Sequence, residues 1–229
     1  MSYTVLIPAA GSGTRMGSST NKLLLKLNEV PVIVHTVRRF EADPNCQAIY
    51  LATQDSEREA FQSLLKFSSK FKGCVTGGLE RQDSIYNMLK YMDETTYVMV
   101  HDGARPFVSQ AILDALHSAV KTHDAVICGV TPKDTIKRVS NHQVVETIER
   151  SALIQVHTPQ AFKYNVLMRA YHHAYQKKLN VTDDAMMVEA LGLDIHVVDS
   201  DYNNIKITTP EDLVIGEKII AQTERDSNV

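Results

Sequence analysis

The sequence predicts an α/β fold, a doubly wound and mostly parallel sheet, and three features carry the expectation. Short apolar runs of strand length alternate with amphipathic stretches of helix length, the pattern of βαβ crossovers. The first apolar run opens into a loop rich in Gly, Ser and Thr, and open α/β sheets place their ligands at that edge. Finally, 229 residues with 44% apolar content suffice for one large α/β domain or two small ones around a real core.

In chain order, Tyr3–Pro8 (YTVLIP) reads as a buried strand. Pro31–Ala42 (PVIVHTVRRFEA) is a helix whose first turn suits Pro31. Gln47–Thr53 is the second strand. The helix Ser56–Phe67 has Ser56 as N-cap and Glu59 three residues on, the capping-box pattern. Helices over Arg81–Met92, Ser109–His123 and Lys163–Lys178 place apolar residues at three- and four-residue spacings. Tyr97–Asp102, Ala125–Val130, Ile195–Ser200 and Asn204–Thr208 complete the strands. Thr208–Gln222 closes the fold as a helix, with Thr209 as N-cap and Pro210 at the first position. Only the tail TERDSNV is expected to fray.

One region breaks the rhythm. From Pro132 to about Gln155, DTIKRV and QVVETI flank SNHQ, which reads as a hairpin inserted into the α/β body. Pattern alone leaves two roles open, an edge of the same sheet or an arm reaching a second subunit. The expected organisation is a single domain over 1–229 with the insertion at about 132–157.

The formal net charge of −3 argues against a general nucleic-acid binder, which would show a basic excess. Cys46, Cys74 and Cys128 are odd in number and lack metal-type spacing, so reduced thiols are expected. MSYTVLIPAAG lacks a basic n-region, and no stretch approaches the ~18 apolar residues that span a bilayer. The expectation is a soluble cytoplasmic protein without membrane or nucleic-acid partners.

The loop PAAGSGTRMGSSTNK (Pro8–Lys22) fits neither familiar glycine signature. No Gly-Lys pair exists for a P-loop, and Gly11, Gly13 and Gly17 are spaced G-x-G-x-x-x-G. The second strand ends in Gln54 where a dinucleotide site needs an acid. Small residues from Ala9 to Gly13 nevertheless let backbone N–H groups approach an anion closely. Arg15 offers a planar fork for phosphate oxygens and Lys22 a mobile point charge.

Further clusters accompany it. VHDGARPF puts Asp102 at the C-terminal sheet edge, where a carboxylate can hold Mg²⁺ near a triphosphate or simply cap a Gly-Pro turn. His101 reads as a packed strand-end histidine. GGLERQDS opens a helix with Arg81 in its first turn, where a cation opposes the helix dipole and so points to an anion nearby. Lys206 lies between Ile205 and Ile207, facing either solvent or the ligand edge.

The ordered set PAAGSGTRMG, GGLERQDS, HDGARPF, TPQAF, TDDAMMVE and NIKITTPEDL resembles the 2-C-methyl-D-erythritol 4-phosphate cytidylyltransferases of isoprenoid biosynthesis, over Val5 to about Ile219. The resemblance implies CTP plus methylerythritol phosphate giving CDP-methylerythritol and pyrophosphate, Mg²⁺ dependence, and a homodimer joined by the arm. It further implies that Arg15 and Lys22 grip the triphosphate, with Ala9, Ala10, Gly11 and Gly13 as the loop around the nucleotide. Gly78, Arg81 and Ser84 fall on the cytidine-binding turn; Asp102, Ala104 and Arg105 match the segment beside ribose and acceptor. Thr135 and Lys206 correspond to residues near the acceptor phosphate. Arg150, Thr158 and Thr182 match the arm and its surroundings. Arg15, Lys22, Arg150 and Lys206 are the implied catalytic cations.

Three positions depart from the resemblance. Many relatives have Pro-Lys-Gln where this chain has Asn21-Lys22-Leu23, and Leu79 stands at a site that is acidic in some. The nearest rival is ribitol-5-phosphate cytidylyltransferase, whose first loop tends to read L-A-G-G rather than P-A-A-G. Sugar nucleotidyltransferases and a non-enzymatic nucleotide-binding regulator are more distant readings.

Overall fold

The computed structural model describes residues 1–11 and 21–226. A seven-stranded sheet forms the centre. Its strands are β1 (Tyr3–Pro8), β4 (Cys46–Thr53), β5 (Phe71–Thr76), β6 (Tyr97–Val100), β7 (Ala125–Val130), β10 (Gln155–Lys163) and β11 (Ile195–Asp199). Two short ladders lie apart from it: β2 (Lys26–Leu27) with β3 (Val30–Pro31), and β8 (Ile136–Ser140) with β9 (Gln143–Ile148). The main sheet runs β11-β7-β10-β6-β1-β4-β5, with β10 antiparallel to both neighbours and every other pairing parallel.

Period-2 alternation divides the core between the two faces. Val5 and Ile7 of β1, Ile49 and Leu51 of β4, and Met99 of β6 turn to one side. There they meet α1 (Val32–Ala42), α2 (Arg58–Leu64), α4 (Gln110–Ala119) and part of α7 (Pro210–Asp226). Leu6, Tyr50, Val98 and Val100 turn to the other. They pack on α3 (Arg81–Tyr91), α5 (Tyr164–Lys177) and α6 (Asp184–Glu189). Strands buried on both faces read as unbroken apolar runs, which is why β1, β6 and β7 stood out in the sequence.

From β1 the chain moves outward to β4 and β5, then returns to place β6 on the opposite side of β1. The strand order therefore reverses beside β1, and such a switch point opens a crevice at the carboxyl ends of the strands. Ala9–Gly11 leave β1 there, and His101–Arg105 leave β6.

Several expectations are corrected. Asn204–Thr208 forms no ladder; it is an irregular segment anchored by the Ile207 N–H to the Ala104 carbonyl at 2.8 Å. β5 escaped notice because only Cys74 of its residues is buried, and it contains Gly73 at φ +126°. β10 contains Pro159, an unusual residue for an interior strand, at a break in the β7 pairing register. The Thr158–Pro159 peptide bond is cis. Ser56 caps nothing: it lies in a 3₁₀ turn, Asp55–Glu57, and Glu57 precedes α2. Pro210 begins α7 as expected, and Asp212 reaches back to accept from the N–H groups of Thr208 and Thr209.

The inserted segment is no edge of the main sheet. β8 and β9 form a separate hairpin, turned by Asn141 and His142 at φ 48° and 62°, as a tight hairpin turn with two left-handed residues requires. Its valines 139, 144 and 145 are exposed. All three cysteines are free thiols in buried positions. Among the described residues, no helix is long and apolar enough to cross a membrane.

Candidate active site

At the switch point lies a cavity of about 310 Å³, walled by three segments. Ala9–Gly11 and Asn21–Leu23 form one wall, Gly78–Arg81 with Ser84 the second, and Asp102–Ala104 with Lys206 the third. The volume is at the lower end of the range for small-molecule sites.

The second wall depends on glycine. A Cβ on Gly77 would sit 2.3 Å from the Ala10 Cβ, and one on Gly78 would sit 2.1 Å from the Asp83 Cβ. The turn survives because the Gly78 N–H donates to the Ser84 hydroxyl at 3.0 Å, which donates on to the Glu80 carbonyl at 3.2 Å. A capping box between Glu80 and Asp83 then starts α3, with Arg81 as its first residue.

Charge in the cavity is organised around Asp102. Lys206 Nζ donates to its Oδ2 at 2.6 Å, and Arg81 Nε to its Oδ1 at 3.3 Å. Burial alone would raise the Asp102 pKa, but Arg81 and then Lys206 outweigh it and hold the carboxyl well below the usual range. Arg81 Nη1 also donates to Asp184 Oδ2 at 2.8 Å, and the Tyr171 hydroxyl donates to Asp184 Oδ1 at 2.6 Å. Burial opposes the Arg81 charge; Asp184 and Asp102 overcome it and raise its pKa. Arg81 is thus a fixed cation between two carboxylates, which accounts for a cation at a helix N-terminus.

Behind Asp102 runs a chain of hydrogen bonds whose directions follow from the partners. The Asp102 N–H donates to Thr158 Oγ1 at 3.0 Å. His101 Nε2 faces the Arg105 carbonyl at 2.9 Å, and a carbonyl can only accept, so Nε2 carries the proton. Nδ1 then accepts from the Thr158 hydroxyl at 3.2 Å. Complete burial pushes the His101 pKa down to about 4, so the ring is neutral at pH 7. It is the packed strand-end histidine that the sequence predicts.

A family model described as IspD, 2-C-methyl-D-erythritol 4-phosphate cytidylyltransferase, matches residues 3–222. The chain belongs to that family. A 2-C-methyl-D-erythritol 4-phosphate cytidylyltransferase of Bacillus cytotoxicus is 49% identical over 220 residues, covering 95% of this chain and 97% of the relative. Of solved structures, 4-diphosphocytidyl-2C-methyl-D-erythritol synthase from Anaerococcus prevotii superposes with TM-score 0.86 at 27% identity, covering 96% of this chain and 98% of that one. The Francisella tularensis cytidylyltransferase superposes with TM-score 0.80 at 32% identity, over 94% and 98% of the two chains.

Of the residues that the cytidylyltransferase resemblance assigns, the structure brings together Ala9, Ala10, Gly11, Lys22, Gly78, Arg81, Ser84, Asp102, Ala104 and Lys206. Gly13 and Arg15 lie outside the described residues. Thr182 lines a smaller neighbouring cavity that also touches Arg81. Thr158 stands behind Asp102 rather than in the wall. Arg105 likewise lies behind, its Nη1 donating to the Asn204 carbonyl at 2.7 Å while its buried Nε has no partner among the described residues. Thr135 and Arg150 are exposed in the inserted segment and do not line this chain's cavity, with Arg150 Nη1 donating to the Lys133 carbonyl at 2.5 Å. Leu79 is fully exposed at the rim, so no side-chain carboxylate stands at that position to read a base.

Sequence reasoning missed Asp184 and Asn204, and gave Asn21 and Gln54 no role in building the site. In TDDA nothing distinguishes the two acids, yet Asp183 caps α6 while Asp184 grips Arg81. Gln54, remarked on only as a missing acid, donates to the Ala10 carbonyl at 3.0 Å. Buried Asn204 donates to the Thr158 carbonyl at 3.0 Å and so braces the Asp102 support.

No group of three or more metal-ligating side chains exists among the described residues. Both Asp102 oxygens already accept from cations. The residues present therefore do not fit a protein-held Mg²⁺ cage.

Proposed function

We propose that this cavity receives CTP and 2-C-methyl-D-erythritol 4-phosphate and that the chain catalyses cytidylyl transfer between them, as its family membership implies. One observation carries the reading: Lys22 and Lys206 line one cavity at the switch point, with Arg81 and Asp102 between the segments that bear them.

Joining two anions requires positioning and charge neutralisation more than a reactive side chain. An oxygen of the acceptor phosphate attacks the α-phosphorus of CTP in line. The new P–O bond forms as the bond to the β-phosphate oxygen breaks, and its electron pair leaves with pyrophosphate. Lys22, with Arg15, neutralises the triphosphate as charge moves onto the leaving group. Lys206 meets the acceptor phosphate, its ammonium held in place by Asp102. Arg81, fixed by Asp184, supports Asp102 from the other side. The Gly78–Ser84 turn closes over the nucleoside, with base recognition falling to backbone groups because Leu79 offers none. Any Mg²⁺ in this reading travels with the nucleotide, held by phosphate and water oxygens.

Arg150 and Thr135 complete the reading only across a homodimer in which each arm serves the other copy's cavity. Neither residue lines its own chain's cavity, and the valines of β8 and β9 are exposed, which supports it.

The test is pyrophosphate release from CTP and methylerythritol phosphate by the purified protein and its Lys22→Ala variant. Loss of a preorganised charge donor costs about 10²–10³ in turnover. Lys22→Ala is expected to fall by that factor while its melting temperature stays unchanged. Near-normal turnover in the variant refutes the assignment of Lys22.

A further inference from the structure

Asn21 is 97% removed from solvent, yet it is polar and belongs to no regular helix or strand. Its amide makes three directed bonds. Nδ2 donates to the Ala9 carbonyl at 2.8 Å and to Glu57 Oε2 at 2.9 Å, and Oδ1 accepts from the Leu23 N–H at 3.1 Å. An amide offers two donors on one atom and an acceptor on the other, so this pattern fits one orientation only. Flipped, it would set oxygen against a carbonyl and a carboxylate, and N–H against N–H.

Those three bonds join three separate segments. Ala9 ends the path from β1, Glu57 closes the turn after β4, and Leu23 belongs to the 3₁₀ turn Lys22–Leu24 that Asn21 caps. Gln54, from the same post-β4 turn, grips the next carbonyl, that of Ala10. A trans peptide points its N–H opposite to its C=O. Holding the Ala9 and Ala10 carbonyls therefore also fixes the direction of the Ala10 and Gly11 N–H groups. Neither N–H has an acceptor among the described residues, and both residues line the cavity.

We infer that Asn21 is a positioning residue for the cytidylyl transfer: it fixes the turn bearing Lys22 against the Ala9–Gly11 backbone, so that side-chain cation and backbone donors meet the same phosphates. The inference rests on the proposed function. The asparagine presets the backbone of the turn through side-chain bonds, with Glu57 as its outer anchor.

The experiment compares steady-state kinetics of the wild type with Asn21→Ala, Asn21→Asp and Glu57→Gln. Aspartate keeps the acceptor for the Leu23 N–H, so the turn stays capped. It loses both donors and faces Glu57 with a like charge. Displacements of about 1 Å cost on the order of 10²-fold in rate. Both Asn21 variants are therefore expected to lose about 10–10² in kcat and to weaken KM for CTP, with KM for methylerythritol phosphate within about twofold of wild type. Glu57→Gln keeps a neutral acceptor and should lose less than about threefold, a smaller loss than either Asn21 variant. An Asn21→Asp protein with wild-type kcat and KM would overturn the inference, since capping alone would then suffice. Equal weakening of both KM values would also overturn it, because that reports general loosening of the fold. A wild-type protein that releases no pyrophosphate overturns the proposed function itself, a result distinguishable from either.

Discussion

Replacing Asp102 by Asn tests whether one carboxylate organises the cationic cavity. The substitution keeps shape and removes charge. It leaves Lys206 and Arg81, now 2.6 and 3.3 Å from the sites of the two oxygens, without their shared counterion. A charge pair at about 4 Å is worth roughly 4 kcal/mol at an effective dielectric of 20, before desolvation takes most of it back. Arg81 retains Asp184, and Lys206, whose side chain is 39% exposed, can turn to water. The net loss should therefore fall near 2 kcal/mol, below the 3–5 kcal/mol of a fully stranded buried charge. For a chain of this size that lowers Tm by about 4–8 °C. Turnover should suffer more, by about 10²-fold, because Lys206 is no longer held toward the acceptor. Calorimetry and pyrophosphate release read the two quantities separately. An Asn variant with wild-type Tm and wild-type kcat would refute the idea that Asp102 orders these cations.

Three other outcomes follow from the same geometry. His101 is neutral when folded, with a pKa of about 4 against an ordinary 6.5, so the unfolded chain binds more protons between those values. Stability is thus fully present above pH 6.5 and falls toward pH 4, by up to about 3 kcal/mol from this ring. Urea denaturation of His101→Gln at pH 7, 5.5 and 4.5 should show a flatter profile, with half-buried His157 leaving a residual slope of the same sign; an unchanged slope contradicts the assignment. Gly129→Ala would set its Cβ 2.5 Å from the Gln155 carbonyl oxygen, backbone of the adjacent β10 that cannot swing aside. Overpacking of this kind costs about 1–3 kcal/mol, so Tm should drop several degrees; a change below about 1 °C contradicts the packing. If the proposed arm-joined homodimer is right, Val144→Asp, a change at an exposed residue, should leave the chain's own Tm near its starting value while sedimentation shifts from dimer to monomer and turnover collapses. A fully active monomer would refute the shared-site reading.

The sequence disclosed elements wherever local chemistry and tertiary packing agree. β1, β6 and β7 are apolar but for Thr4 because both faces are covered, and α1 and α5 carry one apolar stripe. β5 and β10 were illegible because Gly73 and Pro159 are poor strand residues that the sheet tolerates, and because β5 buries only Cys74. Asn204–Thr208 shows the reverse error, a strand-like alternation that finds a loop carbonyl in place of a ladder. In the site, Arg81 was legible as a cation placed against the helix dipole, and Lys22, Asp102 and Lys206 through the ordered motifs that carry the resemblance. The residues that hold them, Asp184, Asn21 and Asn204, were not, since a buried anchor is defined by partners distant in the chain.

The most direct test of the cytidylyl-transfer account follows ³¹P resonances in a mixture of protein, CTP, Mg²⁺ and either methylerythritol phosphate or ribitol phosphate. With methylerythritol phosphate the account predicts the paired signals of a CDP-polyol growing with pyrophosphate, about 10²-fold slower or more in Lys206→Ala. A CDP-polyol formed only from ribitol phosphate, or an undiminished rate in Lys206→Ala, would contradict it.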